Sequence, residues 1–272
     1  GFYARVGDYA RMLSLDLSHM AFETINGAPF VEVALHIAKN CPADLKQAQA
    51  LNMLRIAWVL LTFRMNDEFN ALMDELYTML GINGQVLMHR PDGSADSHLI
   101  GEWLLLTSYR SFPHLGEMTV ILRQAALFLG DQCSQVILPT ALWCFGNYSP
   151  LTEFYTAPGE ADREAEALEK YISIYSRLTN GHGSGADVLF RAELAYQRGD
   201  VSDAEILAYK AAFIAEGKQQ SVVQLGASIL LAHVALHKSA CHRLNGARCL
   251  LRLPGYVCYP IAFGHHSGRV VE

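Results

Sequence analysis

Apolar residues recur at steps of three and four along most of the chain. Between Asp44 and Met65 they fall at Leu45, Ala48, Leu51, Leu54, Trp58, Leu61 and Met65, the period of one helix face. Asp67–Leu80 repeats the pattern with Phe69, Leu72, Leu76 and Met79, and Gly81 stands where a helix C-cap is expected. The pattern predicts further helices over Ser97–Tyr109 and Leu115–Leu129, separated by Phe112-Pro113-His114 and closed by Gly130. Asp162–Leu178 reads as a long amphipathic helix ending at Thr179-Asn180-Gly181. Asp187–Gln197, the turn Arg198-Gly199-Asp200 and Val201–Glu216 form the clearest helical hairpin, and a helix over Gln220–His237 follows. No period-two strand with a hairpin turn interrupts these elements.

Turns near residues 8, 66, 113, 199 and 238 divide the chain into helical pairs. Units of roughly 35–50 residues built from two helices are the mark of a solenoid, since one hairpin cannot bury its own apolar faces. Around the Gly199-Asp200 turn, Ala192, Ala204 and Ala211 place small residues where two helices cross closely. The expectation is an all-α chain of tetratricopeptide-like helical hairpin repeats forming a superhelix, with an ordinary helical bundle as the alternative. Gly7-Asp8-Tyr9 resembles the same turn, so the first repeat is expected to be truncated. The repeat domain is expected over residues 1–238, with an irregular aromatic insert at 131–159.

Composition narrows the chemistry. The 272 residues carry a net charge of -6, whereas a phosphate-binding domain usually shows a basic stripe and a pI above about 9. At Gly217-Lys218, Ala212 replaces the first glycine of a phosphate loop and Gln219 the magnesium-binding hydroxyl. No dinucleotide fingerprint, His-Glu-x-x-His or DNA-reading helix-turn-helix is recognisable. The absence of an initiator Met points to a piece of a longer chain, and no secretory signal opens it. The apolar runs Leu51–Phe63 and Ser221–Leu236 fall short of the ~20 clean residues of a membrane span. Six cysteines without tight pairs read as reduced thiols. The expectation is a cytoplasmic protein without a cofactor, a metal or catalytic residues.

Ligand chemistry has a few candidate positions. Asn180-Gly181-His182-Gly183-Ser184-Gly185 lacks the Gly-x-Ser-x-Gly of a nucleophile elbow, so its glycines read as a left-handed turn between helices. His182 is nonetheless expected to be exposed there and able to meet a ligand. The insert carries Trp143, Phe145, Tyr148, Phe154 and Tyr155, which either line a small-molecule pocket or cover the apolar edge between two repeats. Trp143, Tyr148, Tyr155 and His182 are the candidate ligand- or partner-binding residues. Glu160, Asp162 and Glu164 read as a solvated helix start, where carboxylates suit the helix dipole.

Residues 239–272 read differently. From Gly217 to Val271 there is no Asp or Glu against six Lys or Arg, and helical periodicity fades after Ser239. The spacing of Cys241, Cys249 and Cys258 departs from zinc knuckles. A shifted reading frame, an artificial junction or disorder is the expectation for this tail.

The run Arg177–Ala186, with Arg191-Ala192-Glu193, Gly199-Asp200 and Ala204-Glu205-Ile206-Leu207, resembles the helical middle of large LuxR-type, MalT-like bacterial transcriptional regulators. Gly101-Glu102-Trp103, Trp143-Cys144-Phe145-Gly146 and Tyr155–Glu160 are similar too. The resemblance covers roughly Asp44 to Lys238. It implies a module that senses a small-molecule effector or protein partner, beside an ATPase and a DNA-binding helix-turn-helix that this sequence lacks. Any contact with DNA would then be made by that absent domain, with none from this chain and no membrane partner. The alternative is a stand-alone interaction scaffold. A sensor is expected to hold a closed pocket near Trp143, Tyr148 and His182, a scaffold an open groove, and an enzyme a second titratable group beside His182.

Overall fold

The computed structural model describes residues 6–14, 28–88 and 91–250, with side chains except at 28–29 and 240–250. The described residues are all-α, with no strand. Thirteen helices run in order: α1 (Tyr9–Leu13), α2 (Ala28–Asn40), α3 (Ala43–Ala48), α4 (Ala50–Thr62), α5 (Asn66–Met79), α6 (Gly84–Met88), α7 (Ala95–Thr107), α8 (Leu115–Leu129), α9 (Pro150–Phe154), α10 (Ala161–Leu178), α11 (Ala186–Arg198), α12 (Val201–Gly217) and α13 (Ser221–Leu250). The chain divides into two units, Gly1–Val234 and Ala235–Glu272, and of the second only the end of α13 is described.

Helices pack mainly against their chain neighbours, as α4 with α5, α7 with α8, and α11 with α12. α10 lies between α8 and α11, and α7 touches both α4 and α5. The expected helix over Asp44–Met65 is two helices, broken at Gln49, which leaves helical geometry at φ -117° and ψ 35°. α8 has the predicted bounds, with Gly130 at φ 60° closing it.

Small residues set the closest approaches. On Gly101, a Cβ would lie 2.8 Å from the Leu129 side chain, so α7 and α8 can meet only over a glycine. Beside it, the Trp103 indole donates to the Met73 carbonyl at 2.9 Å, tying α7 to α5. α12 turns Ala204, Ala208, Ala211 and Ala215 inward and leaves Ile206, Tyr209 and Phe213 outside. The expected close crossing through Ala192, Ala204 and Ala211 is present, since all three are fully buried.

The last helix departs from expectation in two ways. It continues past His237 and Ser239 to Leu250, so a helix covers the start of the expected irregular tail. Its Ser221–Ser239 stretch is also long and apolar enough to cross a bilayer by length and composition. Val222, Val223, Ala227, Leu230 and Val234 are buried within the first unit, while Leu225 and Leu236 are exposed, and 33% of the stretch is buried. The expected features of residues 251–272, and the grouping of Cys241, Cys249 and Cys258, lie outside the described side chains.

Candidate functional site

His182 is buried, against the exposure expected of a glycine-flanked loop histidine; only 1% of it reaches solvent. The reason is local. Asn180, Gly181, Gly183 and Gly185 all take left-handed φ, which folds the loop back onto the end of α10. Gly183 then abuts Trp143 so closely that a Cβ would lie 2.6 Å from the indole. Gln220 clasps the arrangement: its Oε1 accepts from the Gly183 N–H at 2.8 Å, and its Nε2 donates to the Pro139 carbonyl at 2.7 Å.

Inside this loop the hydrogen bonds have one consistent direction. His182 Nε2 faces the Ala141 carbonyl at 3.1 Å, and a carbonyl can only accept. Nε2 therefore carries the proton and Nδ1 accepts from the Tyr175 hydroxyl at 2.7 Å. Tyr175 in turn accepts from the Tyr109 hydroxyl at 2.6 Å. Burial pushes the His182 pKa down from 6.5 to about 4, against the smaller upward pull of its carbonyl partner. Burial likewise holds the phenols of Tyr109, Tyr171 and Tyr175 well above their ordinary value. A titratable neighbour of His182 thus exists, Tyr175, but the pair is sealed in the core and held neutral.

The other candidate residues separate. Trp143 is buried and packs edge-on against His182, with ring centroids 5.8 Å apart. Tyr148 and Tyr155 stay half-exposed on the surface of the insert and do not join that cluster. Within the insert, Trp143 and Phe154 are buried in the core, while Phe145 lines a cavity. The insert's short helix α9 is capped from α11, where the Glu193 carboxylate accepts from the Leu151 N–H at 2.9 Å. Burial raises the Glu193 pKa from 4.5 to about 7. In the acidic run, Glu160 and Asp162 pair with Arg163 and Arg198, while Glu164 is buried and accepts from the Thr156 hydroxyl.

The space for a ligand lies on the far side of Tyr109. A cavity of about 190 Å³ is lined by Leu61, Phe69, Phe112 and Phe145, with Arg64, Arg110, Asn66 and Asn70 supplying polar groups. Tyr109 is among the lining residues, so one side chain belongs to both the cavity wall and the relay. The Arg64 guanidinium stands 4.9 Å over the Phe145 ring, a cation–π geometry. Arg64 at φ 59° and Phe145 at φ 56° are both non-glycine residues in left-handed backbone, as is Cys144 at φ 46°. Such strain costs roughly 1–3 kcal/mol per residue and concentrates at functional sites.

A second, wider cavity of about 470 Å³ lies between the start of α7 and the end of α8, lined by His98, Phe128 and Gln132 among others. Beside it, the fully buried Glu102 accepts from the Ser134 hydroxyl at 2.6 Å and from the Gln135 N–H, and its Oε1 lies 3.3 Å from His98 Nε2. Glu102 thereby fixes the turn after α8. Sequence reasoning missed both this role and the arginine-lined cavity. The signal for Glu102 was its place, a carboxylate between the apolar runs Leu99-Ile100-Gly101 and Trp103-Leu104-Leu105-Leu106.

Comparison of the chain with protein-family models, curated proteins and solved structures returns no match.

Proposed function

We propose that the chain is a non-catalytic, effector-sensing helical repeat module. The resemblance to LuxR-type, MalT-like regulators implies this use, with ATPase and DNA-binding parts elsewhere and a cytoplasmic setting. The all-α fold of stacked helical pairs supports the reading, and the tetratricopeptide-like superhelix is the finer architecture that would go with it. The observation that carries it is the cavity at Tyr109. A ligand there would touch the phenol that begins a hydrogen-bonded path to His182 and the glycine loop. Occupancy would then favour one packing of helical pairs over another in proportion to its differential affinity.

A thermal-shift screen of the whole chain against sugars, nucleotides, organic acids and amino-acid metabolites tests this. Ligand at one hundred times its Kd adds about 2.7 kcal/mol. Asn66 is exposed on the cavity wall, and Asn66→Trp should block the site without disturbing the core. A shift abolished by Asn66→Trp supports a sensor. A cooperative melt that no compound moves turns the assignment to a protein-binding scaffold.

That second reading has its own observation. Ile206, Tyr209 and Phe213 fall on one face of α12 and are 64%, 61% and 78% exposed. Large apolar side chains outside and alanines inside invert the usual helix pattern, and such patches mark interaction surfaces.

A further inference from the structure

The cavity at Tyr109 has a chemistry more specific than a general pocket. Its walls are aliphatic and aromatic, from Leu61, Phe69, Phe112 and Phe145, while two guanidinium groups stand among the lining residues. Both arginines have donors to spare. Arg64 uses Nη2 on Glu153 at 3.3 Å, and Arg110 uses Nη2 on the Asn70 carbonyl at 2.8 Å and on Asp74 at 2.9 Å. A guanidinium presents five N–H donors in a planar fork, so each retains most of its capacity. Asn70 adds a buried side-chain oxygen that lacks a hydrogen-bond partner, an acceptor that a donor elsewhere on the ligand, and not its carboxylate, would satisfy. The cavity, at about 190 Å³, is somewhat larger than an apolar cavity of about 150 Å³ that accepts benzene.

We infer that this cavity binds a small carboxylate with a flat apolar body, its ring among Phe69, Phe112 and Phe145 and its carboxylate on Arg64 and Arg110. The inference rests on the sensor reading and names its ligand class. Planar, bidentate recognition of a carboxylate is what guanidinium groups do best, and an ammonium would not replace them. The left-handed backbone at Arg64 and Phe145 holds the stacked pair at the cavity before any ligand arrives. A carboxylate on Arg64 would also compete with Glu153, which the Asn147 side chain holds from its other side. Binding would thus reach the insert through Glu153 and the relay through Tyr109.

The test uses benzoate and phenylacetate as probes, with benzamide and phenylacetamide as neutral isosteres and inorganic phosphate as an anion without a ring. Calorimetric titration of the whole chain should show benzoate or phenylacetate binding at least tenfold tighter than its amide, with phosphate weaker than either. Arg110→Gln should cost tenfold or more, and Arg64→Asn, which keeps a residue tolerant of left-handed φ, a similar factor. Both side chains are solvent-accessible ion-pair members, so the variants should melt near wild type, with Arg110→Lys as a charge-preserving control that still loses the fork. Equal affinity for acid and amide, with loss on Asn66→Trp, would overturn the carboxylate assignment while leaving a sensor. Carboxylate binding indifferent to both arginine variants would place the ligand elsewhere, for instance in the His98 cavity, and would also overturn it. No binding by these probes, while another compound of the screen binds and is blocked by Asn66→Trp, overturns the carboxylate class alone. Silence from every compound overturns both.

Discussion

A buried histidine and a half-buried glutamate give the molecule opposing responses to acid. His182 has a folded pKa of about 4 against an ordinary 6.5, so the unfolded chain takes the proton first as pH falls. Its contribution to stability is intact above about pH 6.5 and drains away towards pH 4, on the order of 3 kcal/mol at 1.36 kcal/mol per pKa unit. Glu193 does the reverse. Its folded pKa of about 7 exceeds the ordinary 4.5, so the folded chain takes the proton first and gains stability as pH falls from 7 to 4.5. Glu193→Gln keeps an acceptor for the Leu151 N–H but removes this titration. It should raise the melting temperature by a few degrees at pH 8, and should melt more steeply than wild type with falling pH below 6.5. Parallel melting curves for the two proteins from pH 8 to 4.5 would show that Glu193 does not bind its proton in the fold. His182→Gln should flatten the acid limb at the cost of lower stability at pH 7, read by the same melts.

At the scale of helices, close approaches make sharp predictions. On Gly226 in α13, a Cβ would collide with the Tyr148 carbonyl oxygen, a backbone atom that cannot swing aside. Gly226→Ala should therefore destabilise by about 1–3 kcal/mol, the usual cost of overpacking, whereas Gly116→Ala, with open space around its Cβ, should be neutral or mildly stabilising. Urea melts of the two variants decide it. Helix positions were legible in the sequence because steps of three and four, capping glycines and the Phe112-Pro113-His114 break are local signals. α8 and α10–α12 came out within a residue or so for that reason. The burial of His182 was not legible. It depends on Trp143 and Gln220, about 40 residues away on either side, closing over a loop that by composition looks solvent-facing. Likewise, the cavity draws Arg64 from the turn between α4 and α5, Arg110 from the turn between α7 and α8, and Phe145 from the insert. Nothing in the spacing of those residues brings them together before the helices pack.

On the proposed reading, the cavity at Tyr109 would take a ligand and the exposed apolar residues of α12 a partner. Replacing Ile206 and Phe213 together by Ser should change stability by less than about 0.5 kcal/mol per site, because both side chains are already mostly in water. If α12 is a docking face, that double variant should lose its partner while keeping every ligand response at the Tyr109 cavity. On this reading a neutral Tyr109–Tyr175–His182 relay links the cavity to the glycine loop. Histidine-selective 1H–15N NMR of the whole chain tests it most directly. His182 should keep a proton on Nε2 and none on Nδ1 down to about pH 5, and its resonances should move when benzoate fills the cavity. A His182 that titrates near 6.5, or that ignores a ligand bound at Arg110, would contradict it.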